Sequence, residues 1–270
     1  MSDNDKHKAR IYFHRGNLER ARLCYEAALR DDRLSGNPRE LTDTLGNLGN
    51  VCALTGDHVQ AEECYREVLA LQRQQQDPSA IGQTLMNLGN VQAEAGRPGK
   101  ARACYLEALD YLAPIANHHA LGILYSNLAL QDANEGRISE SIERFLQALE
   151  CHRVVGDEEG LAVTYSQLGK TFLHAGSLRE AEKCLNNASE HYIKLGQPDG
   201  EAAVLRRLAD LYEQEGGYLN AIRCLERVLI LTTRCGLPQQ EKDATRLAHV
   251  RTQWQAQSRP KESSPSCSED

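Results

Sequence analysis

The chain is 270 residues long, 41% hydrophobic and 26% charged, with a formal net charge of −7. That acidic balance disfavours nonspecific nucleic-acid binding, which needs clustered Lys and Arg to neutralise phosphates, and an aromatic content of 5% leaves little for base stacking. The best apolar cluster, Val228-Leu229-Ile230-Leu231, falls far short of the roughly 18 residues of a membrane span, and the charged start Met1-Ser2-Asp3-Asn4-Asp5-Lys6 lacks the apolar stretch of a secretion signal. The expectation is a cytoplasmic protein that binds neither nucleic acid nor membrane.

In chain order, residues 1–36 read as a weak first helix pair. Asp5-Lys6-His7-Lys8 stands where apolar residues belong, so its first helix is expected to be frayed, which leaves self-association through the end repeats open. Residues 37–236 read as five full helix pairs. Asn37-Pro38 and Asp77-Pro78 look like a cap followed by Pro at the first helical position, and Ser177 with Glu180 has the spacing of a capping box. Residues 237–257 read as one more helix, whose Leu247, Val250 and Trp254 would cover the last apolar face. Residues 258–270 are rich in Ser, Pro and charge, and are expected to be a disordered tail.

The pairs repeat at a fixed period. Glycines stand 40 residues apart at Gly16, Gly56, Gly96, Gly136, Gly176 and Gly216. Each is followed by a small residue (Ala21, Ala61, Ala101, Ser141, Ala181, Ala221) and then a large apolar one (Tyr25, Tyr65, Tyr105, Phe145, Leu185, Leu225), spaced along one face of a helix. The segment before each glycine carries a second apolar stripe, as in Leu45, Leu48, Gly49 and Cys52, with a small residue after the central Leu that allows close backbone approach. A glycine suits the left-handed residue at a helix end.

Five of the nine cysteines, Cys24, Cys64, Cys104, Cys184 and Cys224, occupy one site in successive repeats. Equivalent helices about 10 Å apart are too distant for a disulfide, and neither Cys-x-x-Cys nor zinc-finger spacing occurs. They read as small packing residues kept reduced. No catalytic motif is found. Gly96-Arg97-Pro98-Gly99-Lys100 is too short for a phosphate loop and falls on a repeat turn, while Glu62-Glu63 lies on an outward face. The reading is a non-enzyme without cofactor or metal.

Leu-Gly in the first helix, Gly at the turn, then Ala, Tyr and Ala in the second helix resemble the tetratricopeptide repeat signature. The 40-residue period, with Asn47-Leu48-Gly49-Asn50 and Asn87-Leu88-Gly89-Asn90, is similar to the long variant in the Leu-Gly-Asn-repeat adaptors of spindle orientation and in kinesin light chain. The resemblance spans Lys8 to Thr233. It implies an all-α, right-handed superhelical solenoid of helix-turn-helix repeats, whose first helices line a concave groove.

On those first helices, the face opposite the packing stripe carries Asn47, Asn87 and Asn127 in phase, then Gln167 and Arg207, with Asn50, Asn90 and Lys170 one turn on. Carboxamides donate and accept, which suits the backbone of an extended peptide, and the resemblance implies that role for the Asn row. The alternative is a structural ladder between helices. Lys170, Arg206, Arg207 and Arg246 form a basic stretch that favours an acidic ligand segment. A chaperone-type carboxylate clamp is not expected, because Gly46 and Met86 stand where its Lys is needed and Asn127 where its Arg is needed. The expected function is a scaffold for a partner's peptide or helix, the alternative being a regulator gated by a signalling peptide.

Overall fold

The computed structural model describes residues 2–258, and every regular element among them is a helix. They are α1 (Ser2–His14), α2 (Leu18–Ser35), α3 (Pro38–Leu54), α4 (His58–Gln75), α5 (Pro78–Glu94), α6 (Pro98–Leu112), α7 (His118–Asn134), α8 (Ile138–Val155), α9 (Glu158–His174), α10 (Leu178–Leu195), α11 (Pro198–Gln214), α12 (Tyr218–Cys235) and α13 (Gln240–Ser258). The fold is an all-α solenoid of helix-turn-helix pairs. One compact unit runs to Val155 and holds α1–α8, and a second starts at Gly156 and holds α9–α13. Within each unit every helix packs on the next in the chain. In addition α3 packs on α5, α5 on α7, and α9 on α11. Within each unit these odd-numbered helices therefore lie side by side.

The turns explain the period. Gly16, Gly56, Gly96, Gly136, Gly176 and Gly216 all have φ between 70° and 78°, where a Cβ is strained. A second series ends the even helices: Gly36, Gly156, Gly196 and Gly236 are left-handed, and Gln76 (φ 56°) and Ala116 (φ 49°) adopt the same conformation without glycine's freedom. Helix starts follow the caps, with Asn37 accepting from the Arg39 amide at 3.1 Å and Asp77 from the Ala80 amide at 3.1 Å. Ser177 forms no such bond, so the expected capping box is not made. Its backbone (φ −87°, ψ 71°) matches that of Asp57 (φ −82°, ψ 71°), whose longer side chain does reach the Gln60 amide.

The small residue after each central Leu sits under the large residue of its paired helix. A Cβ on Gly49 would lie 2.9 Å from the Tyr65 ring. Ala129 and Ala209 take the equivalent place in repeats whose large residue is Phe145 or Leu225, and all four are fully buried.

The first pair is a continuous helix from Ser2, paired with α2. Its charges have partners: Lys6 is 8% exposed, with Nζ 2.9 Å from Asp32 Oδ1 and 3.3 Å from Glu40 Oε2. The Thr44 hydroxyl donates to Asp32 Oδ2 at 2.6 Å. Burial works to lower the Lys6 pKa, but the hydrogen bonds and charges of Asp32 and Glu40 outweigh it and raise it. At the other end, Leu247 and Val250 of α13 are buried against Ala209, Ala221, Ile222 and Leu225. Trp254, expected to help cover that face, is 39% exposed and is not part of the cluster. The expected tail, beyond Ser258, lies outside the described residues.

Candidate functional site

In the first unit, the packing of α3 on α5 and α5 on α7 brings their solvent-facing residues together. Asp43, Asn47, Asn50 and Leu54 are exposed on α3; Asn87 and Asn90 on α5 and Asn127 on α7 are half-buried. A cavity of about 520 Å³ is lined by Arg10, Thr42, Asp43, Asn47, Asn50 and Asn87, with Tyr65, Val68 and Gln72 of α4 among its other walls. A second, of about 290 Å³, shares Asn50, Tyr65 and Asn87 with it and adds Asn90, Glu94 and the apolar Phe13, Ala53, Leu54 and Val91. Arg10 and Phe13 were missed in the sequence because the first helix was discounted. Their signal was phase, since they stand 40 residues before Asn50 and Ala53.

The amides in this groove are oriented from beneath. Tyr65 OH donates to Asn50 Oδ1 at 2.6 Å, and Tyr105 OH donates to Asn90 Oδ1 at 2.7 Å. Asn90 Oδ1 also accepts from Asn127 Nδ2 at 3.0 Å, which links α5 to α7. Asn50 and Asn90 therefore turn their NH₂ groups to the groove as donors. Asn47 Nδ2 donates to the Asp43 carbonyl at 2.8 Å, which keeps its oxygen free to accept, and Asn127 likewise keeps its oxygen. Asn87 makes no hydrogen bond among the described residues, so both its amide groups are available. The Asn row thus carries internal bonds at four positions and open capacity at all five.

In the second unit the basic stretch separates into spent and unspent charges. Arg206 grips Asp243 of α13 with two bonds, Nε to Oδ1 at 2.9 Å and Nη2 to Oδ2 at 2.7 Å. The Asp243 hydrogen bond raises the Arg206 pKa against its partial burial. Arg206 therefore serves the terminal helix and is not among the residues lining the neighbouring cavity. Arg246 is held by Asp210 at 2.5 Å and Glu213 at 2.6 Å. Lys170 and Arg207 have no carboxylate partner among the described residues, although Arg207 Nη1 donates to Ser166 Oγ at 2.8 Å. Both line a cavity of about 480 Å³ with Leu173, His174, Asp210 and Arg246. Gln167 is half-buried on α9 and does not line it.

Among the described residues no group of three or more His, Cys, Asp or Glu is placed to hold a metal ion, and no helix is long and apolar enough to cross a membrane. The described cysteines are unpaired thiols, and burial pushes Cys52 up to about 11 and Cys64 up to about 12.

A family model for the tetratricopeptide repeat matches residues 4–74, 40–113, 120–194 and 160–233. Among curated protein sequences none matches the chain significantly. Among solved structures, BtubC (BKLC) from P. vanneervenii is similar with a TM-score of 0.74 and 21% identity, covering 81% of this chain and 92% of its own. Nearly identical TPR-like repeats assigned to a kinesin light chain of Podosopora anserina align with a TM-score of 0.60 and 18% identity, covering 74% of this chain and 98% of theirs. A Rap protein complexed with competence and sporulation factor aligns with a TM-score of 0.64 and 12% identity, covering 94% of this chain and 75% of that protein.

Proposed function

Because the chain belongs to the tetratricopeptide repeat family, we propose that it is a non-catalytic, cytoplasmic interaction scaffold that holds an extended peptide segment of a partner in the groove of α3, α5 and α7. The observation that carries this reading is the set of oriented amides. Tyr65 and Tyr105 hold Asn50 and Asn90 as donors for peptide carbonyls, while Asn47 and Asn127 keep acceptors for peptide N–H groups. Fixing these side chains before the ligand arrives lowers the entropy lost on binding. The wall of Phe13, Leu54 and Val91 suits an apolar side chain of the same peptide. The similar Rap structure is a complex with competence and sporulation factor, which fits a ligand of this kind.

Selection of a displayed random-peptide library on the full chain tests the proposal, with the recovered peptides titrated against Asn87→Ala. Asn87 has no internal hydrogen bond to lose, so its truncation is expected to leave the melting temperature unchanged. Affinity is expected to fall about tenfold, as for a lost bidentate amide contact. Selected peptides that bind Asn87→Ala and wild type equally would move the working surface elsewhere.

A further inference from the structure

Helix α13 repeats the register of α11 at a spacing of 39 residues. Asp243, Leu247 and Val250 are buried as Val204, Leu208 and Leu211 are, and Leu247-Ala248 matches Leu208-Ala209. In the earlier repeats that dipeptide marks a helix with a partner on it: Ala209 is packed under α12, and the Tyr65 ring of α4 lies over Gly49. Gly49, Gly89, Ala129, Gly169 and Ala209 are all buried, whereas Ala248 is exposed. Beside it runs a groove of about 570 Å³, lined by Leu229, Ile230, Thr233 and Arg234 of α12 and by Leu247 and Arg251 of α13. The first unit shows what fills such a groove. Helix α4 packs on α3 and reaches α2 through Glu67, 2.7 Å from Arg33, and α6 packs on α5 and reaches α4 through Glu107, 2.6 Å from Arg73. Thr233 is the equivalent of Arg33 and Arg73, and Leu229 of the buried Leu29 and Leu69, yet Leu229 is only half-buried. The last repeat also departs from the others in composition. Arg30, Ala70, Asp110, Glu150 and Glu190 stand at one exposed position, and Ile230 replaces them there at 44% exposure. Five repeats pack without an Ile at that position, so the fold itself does not call for one.

We propose that the groove of α12 and α13 is a docking site for an amphipathic helix of a partner protein, which takes the place that a following even-numbered helix would fill. The chemistry of the occupant is read from the even helices already present. Each buries a small residue, a large apolar one four residues on and a second small or Val residue three further, as in Ala61, Tyr65 and Val68 of α4. The docking helix carries the same stripe, sets its large residue over Ala248, covers Leu229 and Ile230, and turns an acid toward Arg234. Arg234 makes no ion pair among the described residues, while Arg251 is already spent on Glu226. A second copy of this chain has no such helix to give, since all its even helices spend their stripes on their own pairs. Residues 259–270 contain no Leu, Ile, Val, Met or aromatic residue and so cannot supply the stripe. The site shares no residue with the amide groove of α3, α5 and α7, and the two stand or fall separately.

The probe is a labelled peptide with the α4 sequence, residues 58–75, stapled across its exposed Glu63 and Ala70 so that little cost of helix formation remains. On the full chain it is expected to bind one to one and to shift the emission of Trp254, the single tryptophan, which α13 carries. Ile230→Glu installs the residue that the two preceding repeats hold, and Ala248→Gln puts a longer side chain where the helices would meet. Each should weaken binding about tenfold and leave the melting temperature unchanged, because both positions are exposed. Glu67→Arg in the peptide should weaken binding to wild type, and Arg234→Glu in the chain should recover part of that loss. Asn87→Ala should bind the stapled helix as wild type does. No binding of the stapled helix, or equal binding by Ile230→Glu and Ala248→Gln, would overturn the proposal. So would a concentration-dependent dimer in sedimentation that Ile230→Glu abolishes, since the groove would then belong to a second copy.

Discussion

Tyr65 and Tyr105 are each 3% exposed, and burial pushes both phenols well above the ordinary tyrosine value, so they stay protonated as donors throughout the physiological range. Their partners change together along the chain. The pairs Asn50 with Tyr65 and Asn90 with Tyr105 give way in the next repeat to Leu130 with Phe145. When the hydroxyl is absent the amide is absent too, which is the pattern expected of a pair that satisfies itself. Asn50→Leu alone leaves the Tyr65 hydroxyl facing an apolar side chain and is expected to cost about 1–2 kcal/mol. Tyr65→Phe alone costs less, since Asn50 is exposed and water can serve its oxygen. The double variant recreates the pair of the later repeat and should return close to wild type, with a coupling of about 1 kcal/mol in urea unfolding. Simple additivity of the two single losses would show that the hydroxyl–amide bond contributes nothing. The double variant should still lose peptide affinity, because Leu cannot donate to a carbonyl.

Between successive helix pairs, charge alternates. Arg22 on α2 meets Asp57 at 3.1 Å at the next turn. Glu62, in the same place on α4, meets Arg97 at 2.8 Å. Arg102 on α6 meets the fully buried Asp132, which Arg137 and Arg144 also contact, the latter at 3.2 Å. Because the sign reverses from Arg22 to Glu62 to Arg102, a helix shifted by one repeat would place like charges together, although its apolar stripe would still fit. A register shifted by one repeat is therefore disfavoured at these joints. Glu62→Arg should cost about 1 kcal/mol by setting a cation against Arg97 and Arg66, and adding Arg97→Glu should recover most of it. The acid dependence has a definite sign. Burial works to raise the Glu62 pKa, but the Gln92 hydrogen bond and the Arg66 and Arg97 charges hold it below its ordinary 4.5. Its contribution is then complete above that pH and is lost as pH falls through the lower folded value. Urea unfolding of wild type against Glu62→Gln should differ at neutral pH and converge in acid, and a gap that widened in acid would contradict the assignment.

For the molecule as a whole, the 40-residue period was legible because the same apolar stripe and turn glycines recur in phase, and amphipathic geometry then settled which face of each odd helix meets solvent. Charges were harder to read, since a charge acquires its role from a partner distant in sequence. Lys6 looked like a defect until Asp32 and Glu40 were beside it. Arg206 and Arg207 looked like one basic cluster, yet successive helical residues point about 100° apart, so one reaches α13 and the other the groove. The last helix shows the consequence at molecular scale. Helix α13 covers the apolar face of α11 and α12 with Leu247 and Val250, fastened by the Arg206–Asp243 and Arg246–Glu213 pairs and by Arg251 to Glu226 at 2.6 Å. Ending the chain at Gln239 would uncover Ala209, Ala221 and Leu225 and release Arg206 and the acids that hold Arg246. Losing the burial of Leu247 and Val250, at about 1.5–3 kcal/mol each, should destabilise the second unit by several kcal/mol. Circular dichroism should then report more helix lost than α13 itself supplies. Trp254, the chain's single tryptophan, rides on α13 and gives a milder version of the experiment. Asp243→Asn weakens the Arg206 grip without removing the helix, so the emission of Trp254 should shift to the red at a lower urea concentration than in wild type, whereas coincident transitions would mean that apolar contacts alone hold the cap.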